Sequence, residues 1–202
     1  EKIYNYTIGD FDPKIFPIPA EMTEAIIKAY QDKQTNYPAA NGILELRKSV
    51  SEFLIDKLKL NFSPDEILIS AGARPLIYAV YTTLLDPGDT VIFPIPSWNN
   101  NHYCHLSRVN PVFIETNPEN NFMPVADDIR PHIKNATMIA LCSPLNPTGT
   151  VFGKKQLEDI CDLILEENKR RGNDAKPLYL LYDQIYWILT YGKTEHHDPV
   201  SL

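Results

Sequence analysis

Short apolar segments alternate with amphipathic helical segments through most of this chain, and this alternation constrains the fold more than any other feature. The predicted strands are Ile67–Ser70, Thr90–Pro94, Pro111–Glu115, Thr137–Cys142 and Leu178–Tyr182. The helices predicted between them are Arg74–Leu85, Trp98–Leu106, Ala126–Lys134 and Lys154–Arg171. Strands and helices in this order form a mainly parallel sheet with helices on both faces. The sequence therefore predicts a three-layer α/β/α fold.

The residues before this alternation follow a different pattern. Prolines and Gly9 between Glu1 and Pro19 favour an extended arm, and Ala20–Lys33 is predicted to be a helix. We expect residues 1–40 to form this arm and helix, and residues 41–202 to form part of a large domain. That domain is predicted to begin with a helix that buries one apolar face, formed by Ile43, Leu46, Val50, Phe53, Leu54 and Leu58.

Charge and cysteine usage exclude several classes of partner. The 202 residues carry a net charge of −7, which argues against nucleic acid or an anionic membrane as the main partner. No apolar run is long enough to span a membrane. Cys104, Cys142 and Cys161 have no paired spacing, so we expect a cytoplasmic protein without disulfides. The run His102–His105 lacks a second cluster of ligands, and no metal site is predicted.

Polar side chains follow the last two predicted strands, at the point where each strand ends. Asn146 follows Thr137–Cys142, and Asp183 and Tyr186 follow Leu178–Tyr182. Ligands bind at this carboxyl edge in open α/β sheets. An amide, a carboxylate and a phenol suit a flat heteroaromatic cofactor with a ring nitrogen and a ring hydroxyl, such as pyridoxal phosphate. Taken singly, Asn146 could be a turn former, Asp183 a helix cap and Tyr186 a core residue.

Two earlier strand ends carry residues that would complete such a site. Gly72 joins the strand Ile67–Ser70 to a helix whose first N–H groups are free, which is the outline of a phosphate cradle. Trp98 follows the strand Thr90–Pro94 and could stack on a cofactor ring or cap the core. Each signal is weak by itself. Because four successive strand ends each offer a suitable residue, a cofactor site is favoured over a purely structural explanation.

Motifs throughout the chain resemble those of the class I/II, or fold-type I, aminotransferases, and they occur in the family's order. The resemblance implies the large pyridoxal phosphate-binding domain of that fold in incomplete form, and amino acid metabolism as the setting. The motifs are Asn36–Gly42 with Leu46 and Arg47, Ser70–Arg74, Leu85–Asp89, Pro96–Trp98, Asn146–Gly149 and Asp183–Tyr186.

The resemblance assigns roles around the cofactor ring. Asp183 would pair with the pyridinium nitrogen and keep it protonated. Asn146 and Tyr186 would hydrogen-bond the ring hydroxyl oxygen, and Trp98 would stack on the ring face. Trp98 and Asn146 would also lie near the substrate, with Gly9 close to its carboxylate.

Further roles concern the phosphate and the neighbouring subunit. Gly72, Ala73 and Arg74 would hold the phosphate. Tyr37 resembles the tyrosine that members of the family lend to the neighbouring subunit's phosphate, so a homodimer is implied. The family often has cis peptide bonds before prolines near the site, which makes Ile95-Pro96 and Asn146-Pro147 the bonds to inspect.

One expected residue is missing from the chain. The family's Schiff-base lysine lies beyond the position of Leu202, and Lys193, in a polar turn, is no substitute. No catalytic residue is therefore predicted within the chain. Because the chain opens on Glu1 without a Met, we expect a piece of a longer protein that is inactive by itself.

The complete protein is expected to be an aminotransferase that moves an amino group between an amino acid and a 2-oxo acid. A C–S lyase or a decarboxylase shares every motif named above. A ligand-sensing regulatory protein with an aminotransferase-like domain is a further alternative. The amino donor and acceptor are left open by the sequence.

Overall fold

The computed structural model describes residue 3 and residues 9–202, and the chain divides into two compact units, Glu1–Ala40 and Asn41–Leu202. The remainder of the predicted arm, residues 1–2 and 4–8, lies outside the described residues. Residues 9–19 contain turns but no helix or strand, and helix α1 (Ala20–Gln31) follows. No side chain of α1 is buried.

The second unit is built on a four-stranded parallel sheet. Its strands are β1 (Thr90–Ile95), β2 (Asn110–Glu115), β3 (Met138–Cys142) and β4 (Tyr179–Asp183), in the spatial order β2-β1-β3-β4. Every pairing is parallel, and β3 aligns with β4 so that Cys142 lies opposite Asp183. The prediction of a mainly parallel sheet is confirmed.

Helices cover both faces of this sheet. The described helices of the unit are α2 (Leu44–Leu58), α3 (Ala73–Leu84), α4 (Asn100–Ser107), α5 (Ala126–Ile129) and α6 (Lys154–Arg171). Side chains alternate along a strand, so Met138 and Ala140 of β3 pack with residues of α3 and α4, while Ile139 and Leu141 pack with residues of α5 and α6. The three-layer fold is confirmed. None of the described helices is long and apolar enough to cross a bilayer.

The order of the strands creates a crevice at the carboxyl edge of the sheet. From β1 the chain passes through α4 to β2 on one side, whereas from β3 it passes through α6 to β4 on the other. Because parallel crossovers are right-handed, connections in opposite directions lie on opposite faces. The loops after β1 and β3 therefore separate, and ligands bind at such a switch point in open α/β sheets.

Two predictions about the start of the second unit are wrong in the described residues. Ile67–Ser70 is not a strand: the N–H of Ile69 donates to the carbonyl of Asn41 at 3.1 Å, and the segment has no neighbour in the sheet. A single backbone hydrogen bond cannot form a ladder, and Leu68 is more than half exposed as a result.

Helix α2 is the second case, because its apolar positions do not form a buried face. Ile43, Leu46 and Phe53 are exposed, and the residues of α2 that are buried are Arg47 and Ser51. The Arg47 guanidinium donates to the carbonyls of Gly42 and Pro64, and the Ser51 hydroxyl donates to the carbonyl of Phe62. Hydrogen bonds to the adjoining loop thus decide which side of α2 faces inward.

The remaining elements lie within a few residues of their predicted bounds, except near α5. The sequence predicts one helix over Ala126–Lys134, but α5 ends at Ile129 and a separate 3-10 turn covers Ile133–Asn135. Pro131 lies between the two and has no N–H to continue the helix.

Candidate functional site

Asp183 is the last residue of β4 and lies at the carboxyl edge of the sheet, half-buried. The N–H of Ile185 donates to Asp183 Oδ1 at 3.1 Å, and no other described group donates to this carboxylate. Burial raises the pKa of Asp183, and the Ile185 hydrogen bond only partly opposes that rise. A half-buried carboxylate with one hydrogen bond is poorly solvated, so a cationic partner would stabilise it strongly.

Residues at the end of β3 pair with the backbone of Asp183 on the neighbouring strand. The backbone N–H of Ser143 donates to the carbonyl of Asp183 at 3.0 Å, which extends the pairing of β3 and β4 by one residue. Cys142 lies opposite Asp183, and its thiol contacts the carbonyl of Pro144 at 3.2 Å. Burial raises the pKa of this thiol to about 12, with a smaller contribution from the Asp183 charge. Cys142 is therefore a neutral neighbour of the carboxylate.

Asn146 and Tyr186, which follow different strands, are brought together. Asn146 Nδ2 donates to Tyr186 Oη at 3.2 Å, so the phenol hydrogen remains free to point elsewhere. The Asn146 loop is closed by two backbone hydrogen bonds, from Leu145 to the carbonyl of Thr150 at 2.8 Å and from Gly149 to the carbonyl of Leu145 at 2.7 Å. Leu145 is buried and anchors the loop in the core. The amide and the phenol thus have defined positions.

Trp98 lies in the loop after β1, across the crevice from the loop after β3 that carries Asn146. Its side chain is half exposed. The Arg74 guanidinium carbon lies 5.7 Å from the centre of the Trp98 ring, a distance typical of a cation–π contact. Arg74 belongs to the first turn of α3. The contact therefore joins the predicted ring-stacking residue to the predicted phosphate cradle.

Gly72 precedes α3 with a φ of +110°, a backbone conformation that favours glycine. Apart from its two neighbours in the chain, no described residue comes within 4 Å of where a Cβ would be. No side chain of the described residues caps this helix. Within that part of the chain the N–H groups of Ala73 and Arg74 are therefore free, whereas Pro75 has no N–H. Free N–H groups beside an open glycine suit an anion.

A set of hydrogen bonds behind β4 fixes the segment that carries Asp183 and Tyr186. Gln184 Nε2 donates to Asp198 Oδ2 at 2.7 Å, and Gln184 Oε1 lies 2.8 Å from His196 Nε2. Tyr182 Oη donates to the carbonyl of His197 at 2.9 Å. These contacts lie on the opposite face of β4 from Asp183, since neighbouring strand residues alternate. They position the site without occupying it.

The remaining predicted site residues, Gly9 and Tyr37, belong to the unit Glu1–Ala40. Both are exposed, and the Tyr37 side chain is completely so. Both bonds singled out for inspection, Ile95-Pro96 and Asn146-Pro147, are cis. The Ser143-Pro144 bond is also cis, which the sequence reasoning did not anticipate. Among the described residues, no three His, Cys, Asp or Glu side chains are grouped closely enough to hold a metal ion together.

The sequence model of one family, aminotransferase class I and II, matches residues 2–201. The chain belongs to this family. A relative of this aminotransferase chain, the aspartate aminotransferase of Bacillus sp. (strain YM-2), is 31% identical over 189 residues, which cover 93% of this chain and 46% of that protein. The probable aspartate/prephenate aminotransferase of Aquifex aeolicus is 30% identical, with 92% and 45% covered. The aminotransferase chain therefore spans about half the length of these relatives.

Solved structures of aminotransferases have the same fold. The aromatic aminotransferase of Pyrococcus horikoshii matches with a TM-score of 0.84 at 27% identity, covering 96% of this chain and 48% of that one. The aspartate aminotransferase of Thermus thermophilus with maleate matches with a TM-score of 0.81 at 31% identity, covering 90% and 45%. The resemblance inferred from the motifs is confirmed at the level of the family and the fold.

Class I and II aminotransferases use pyridoxal phosphate, and the residues of this site fit that group. The under-solvated Asp183 carboxylate matches a protonated ring nitrogen. The Tyr186 hydroxyl accepts from Asn146, so its own hydrogen is available for a ligand oxygen. The open glycine and the free N–H groups at the start of α3 match a phosphate. The donor set is thus complementary to three different parts of the cofactor.

Proposed function

We propose that this chain forms the cofactor-holding part of a pyridoxal phosphate-dependent aminotransferase, which moves an amino group between an amino acid and a 2-oxo acid. The observation that carries the proposal is the half-buried, under-solvated carboxylate of Asp183 at the carboxyl edge of a parallel sheet. The hydrogen-bonded pair of Asn146 and Tyr186 and the aromatic face of Trp98 lie at the same edge. Pyridoxal phosphate, when bound, supplies a ring that withdraws electrons from the carbon next to the amino group.

Asp183 is assigned to the ring nitrogen. Burial disfavours its ionised form in the free protein, and a cation within hydrogen-bond distance would reverse that effect. The same pairing keeps the proton on the nitrogen, because separating the proton from the carboxylate would leave an unpaired charge in a half-buried place. Asp183 thus holds a proton at a fixed position, which is the condition for strong electron withdrawal.

Asn146 and Tyr186 are assigned to the ring oxygen, where one N–H and one O–H can donate. Asn146 orients Tyr186 through their 3.2 Å contact, so the phenol hydrogen is directed away from the amide. Trp98 is assigned to the ring face, where its half-exposed indole would be covered on binding. Trp98, Asn146 and Gly9 are proposed to lie near the substrate.

Gly72, Ala73 and Arg74 are assigned to the phosphate. A backbone without a Cβ lets the anion approach, and the positive end of the α3 dipole attracts it. Arg74 adds a full charge beside the same turn while its guanidinium lies over Trp98. The cradle therefore combines backbone donors with one cationic side chain.

We also propose a homodimer in which Tyr37 reaches the neighbouring subunit's phosphate, and a cytoplasmic location. The dimer is supported by the complete exposure of Tyr37 and by the apolar side chains that α1 leaves exposed, among them Met22, Ile26 and Ile27. The location is supported by three free cysteines, whose pKa values are all raised by burial. Thiols in that state are stable in a reducing compartment.

The function is tested on the full-length protein with 15N-labelled amino acids and 2-oxoglutarate. We expect cofactor absorption that follows the protein on a desalting column, and 15N in the newly formed amino acid. Asp183→Ala should lower turnover at least about a hundredfold, because it removes the charge that holds the ring proton. The exposed Asp174, replaced by Asn, is the matched control and should leave turnover unchanged.

The products also separate the alternatives. Release of ammonia with pyruvate would identify a C–S lyase, and release of carbon dioxide would identify a decarboxylase. Either result would overturn amino transfer but keep the cofactor site. Cofactor binding without turnover of any amino acid would point to a ligand-sensing protein. Unchanged turnover in Asp183→Ala would contradict the site itself.

A further inference from the structure

A chain of hydrogen bonds runs from the core to the residue before Trp98. Tyr81 of α3 is completely buried, and its hydroxyl donates to Asn100 Oδ1 at 3.0 Å. Asn100 Nδ2 in turn donates to Ser97 Oγ at 2.8 Å. Three side chains from α3, from the first turn of α4 and from the loop after β1 are thus connected in series. No sequence motif singled out this series.

The packing of Tyr81 does not require its hydroxyl. The ring packs against Tyr103 at a centroid distance of 5.5 Å, a contact that phenylalanine would make equally well. Burial raises the pKa of Tyr81, so the hydroxyl keeps its hydrogen and acts as a donor. A buried hydroxyl costs free energy unless it is hydrogen-bonded, and Asn100 provides that bond. The hydroxyl is therefore needed for the hydrogen bond to Asn100 and not for the ring packing against Tyr103.

The series ends where the backbone of Trp98 is fixed from both sides. Before Trp98, the Ser97 side chain is held by Asn100. After it, Asn99 has a φ of +60°, and its carbonyl accepts the N–H groups of His102 and Tyr103 at 3.0 and 3.2 Å. The indole itself is half exposed and has Arg74 as its cationic neighbour. Its position thus depends on the backbone.

We propose that Tyr81 and Asn100 are positioning residues, which hold Trp98 at the angle needed to cover the cofactor ring. The proposal rests on the proposed function for its purpose, but the coupling between Tyr81 and Trp98 exists in the cofactor-free protein. Neither residue touches the cofactor in this assignment. They act through Ser97, which is hydrogen-bonded to Asn100 and directly precedes Trp98 in the chain.

The coupling is tested by NMR on cofactor-free, 15N-labelled protein of full length. The indole N–H signal of Trp98 is assigned by its loss in Trp98→Phe. Tyr81→Phe removes the first hydrogen bond and Ser97→Ala removes the last, and each should shift or broaden the Trp98 signal. The double variant should shift the signal no further than the larger single effect, because both changes interrupt the same series.

Tyr103→Phe is the matched control, since Tyr103 packs on the same ring and its hydroxyl makes no hydrogen bond among the described residues. It should leave the Trp98 signal in place. An unmoved signal in Tyr81→Phe, or additive shifts in the double variant, would overturn the proposal. Ser97 lies near the surface, so Ser97→Ala keeps the test valid even where Tyr81→Phe unfolds the protein.

A separate measurement connects the coupling to binding. In a spectrophotometric titration with pyridoxal phosphate, Tyr81→Phe and Ser97→Ala should each bind about two- to tenfold more weakly than the unchanged protein, the usual effect of one lost hydrogen bond. Wild-type affinity in both variants would overturn the positioning role. Absence of binding to the unchanged protein would contradict the proposed function instead, while the NMR result would stand by itself.

Discussion

Asp183 is held by the fold in an environment that does not suit its charge. Ile185 is the single described residue that donates to its carboxylate, and burial raises the pKa of Asp183. A carboxyl with a raised pKa destabilises the folded state at pH values above that pKa, because its ionised form is better solvated in the unfolded chain. The same environment favours the binding of a cationic ligand. The charge of Asp183 therefore lowers the stability of the folded protein without a ligand but strengthens ligand binding.

Asp183→Asn should therefore stabilise the cofactor-free protein at pH 7, by up to about 1 kcal/mol in the free energy of unfolding. Asparagine keeps an oxygen to accept the N–H of Ile185 and removes the poorly solvated charge. The gain should shrink as the pH falls through the carboxyl pKa, since the aspartate then becomes neutral as well. Urea unfolding at pH 7 and pH 4 measures both effects.

Asp198→Asn provides the control for this prediction. Asp198 is also buried, but its two oxygens accept from Val200 N–H at 2.8 Å and from Gln184 Nε2 at 2.7 Å. Its charge is paired with donors, so the asparagine variant should lose stability. Equal losses in both variants would show that Asp183 is solvated as well as Asp198, contrary to the argument.

At the scale of elements, the end of α6 shows how a helix is joined to the loop before β3. The Arg171 guanidinium donates to the carbonyls of Ile133 at 2.9 Å and Ala136 at 2.7 Å, which lie beyond the end of α5. Glu167, one turn earlier, accepts from Arg171 Nε at 2.8 Å and from Arg170 Nη2 at 2.7 Å. The Glu167 carboxylate thus orients Arg171, which connects the end of α6 to the loop before β3.

This arrangement predicts acid sensitivity. The two arginines lower the pKa of Glu167 to about 2, so its contribution to stability is complete above about pH 4.5 and is lost as the pH falls toward 2. Glu167→Gln should cost about 2 kcal/mol at pH 7, with a smaller cost at pH 3. Urea midpoints at both values test it against Glu166→Gln, an exposed neighbour that should show no such difference. A cost that does not change with pH would contradict the assignment.

At the scale of the whole molecule, the unit Glu1–Ala40 buries almost nothing of its own. Among its described residues, all but Ala29 are exposed, although Phe11, Phe16, Ile26 and Tyr30 are apolar. Exposed apolar surface of this extent is typical of an interface. In the proposed homodimer this surface would face the partner subunit, and Tyr37 would lie at the neighbouring subunit's phosphate.

Mixed dimers test whether Tyr37 of one subunit reaches the cofactor site of the other. Asp183→Ala subunits are expected to be inactive, and Tyr37→Phe subunits to bind the cofactor more weakly. When both variants are unfolded and refolded together, about half of the Tyr37→Phe subunits should pair with an Asp183→Ala subunit and receive its intact Tyr37. Activity titrated with cofactor should then show two classes of site, one of them with wild-type affinity. A single weakened class would exclude sharing of Tyr37.

Much of the fold was predictable because helices and strands that bury one or both faces have apolar residues at regular intervals in the sequence. The residues of β1, β2, β3, β4 and α6 show such patterns, and their positions agree with the prediction to within one residue. Ile67–Ser70 is equally apolar but lacks a strand partner, and no local pattern shows whether a partner exists. In α2, the apolar period did not indicate that Arg47 and Ser51 would be the buried residues.

The sequence by itself determined the family, the parallel sheet and the residue types at the strand ends, because these depend on local periodicity and on short motifs. Only the tertiary structure decided that Asn146 contacts Tyr186, that Ile185 alone of the described residues donates to the Asp183 carboxylate, and that Tyr81 is joined to Ser97 through Asn100. The Asn146–Tyr186 and Tyr81–Asn100 contacts connect residues that are 40 and 19 positions apart in the chain. Their geometry depends on how strands and helices pack together, which no local pattern contains.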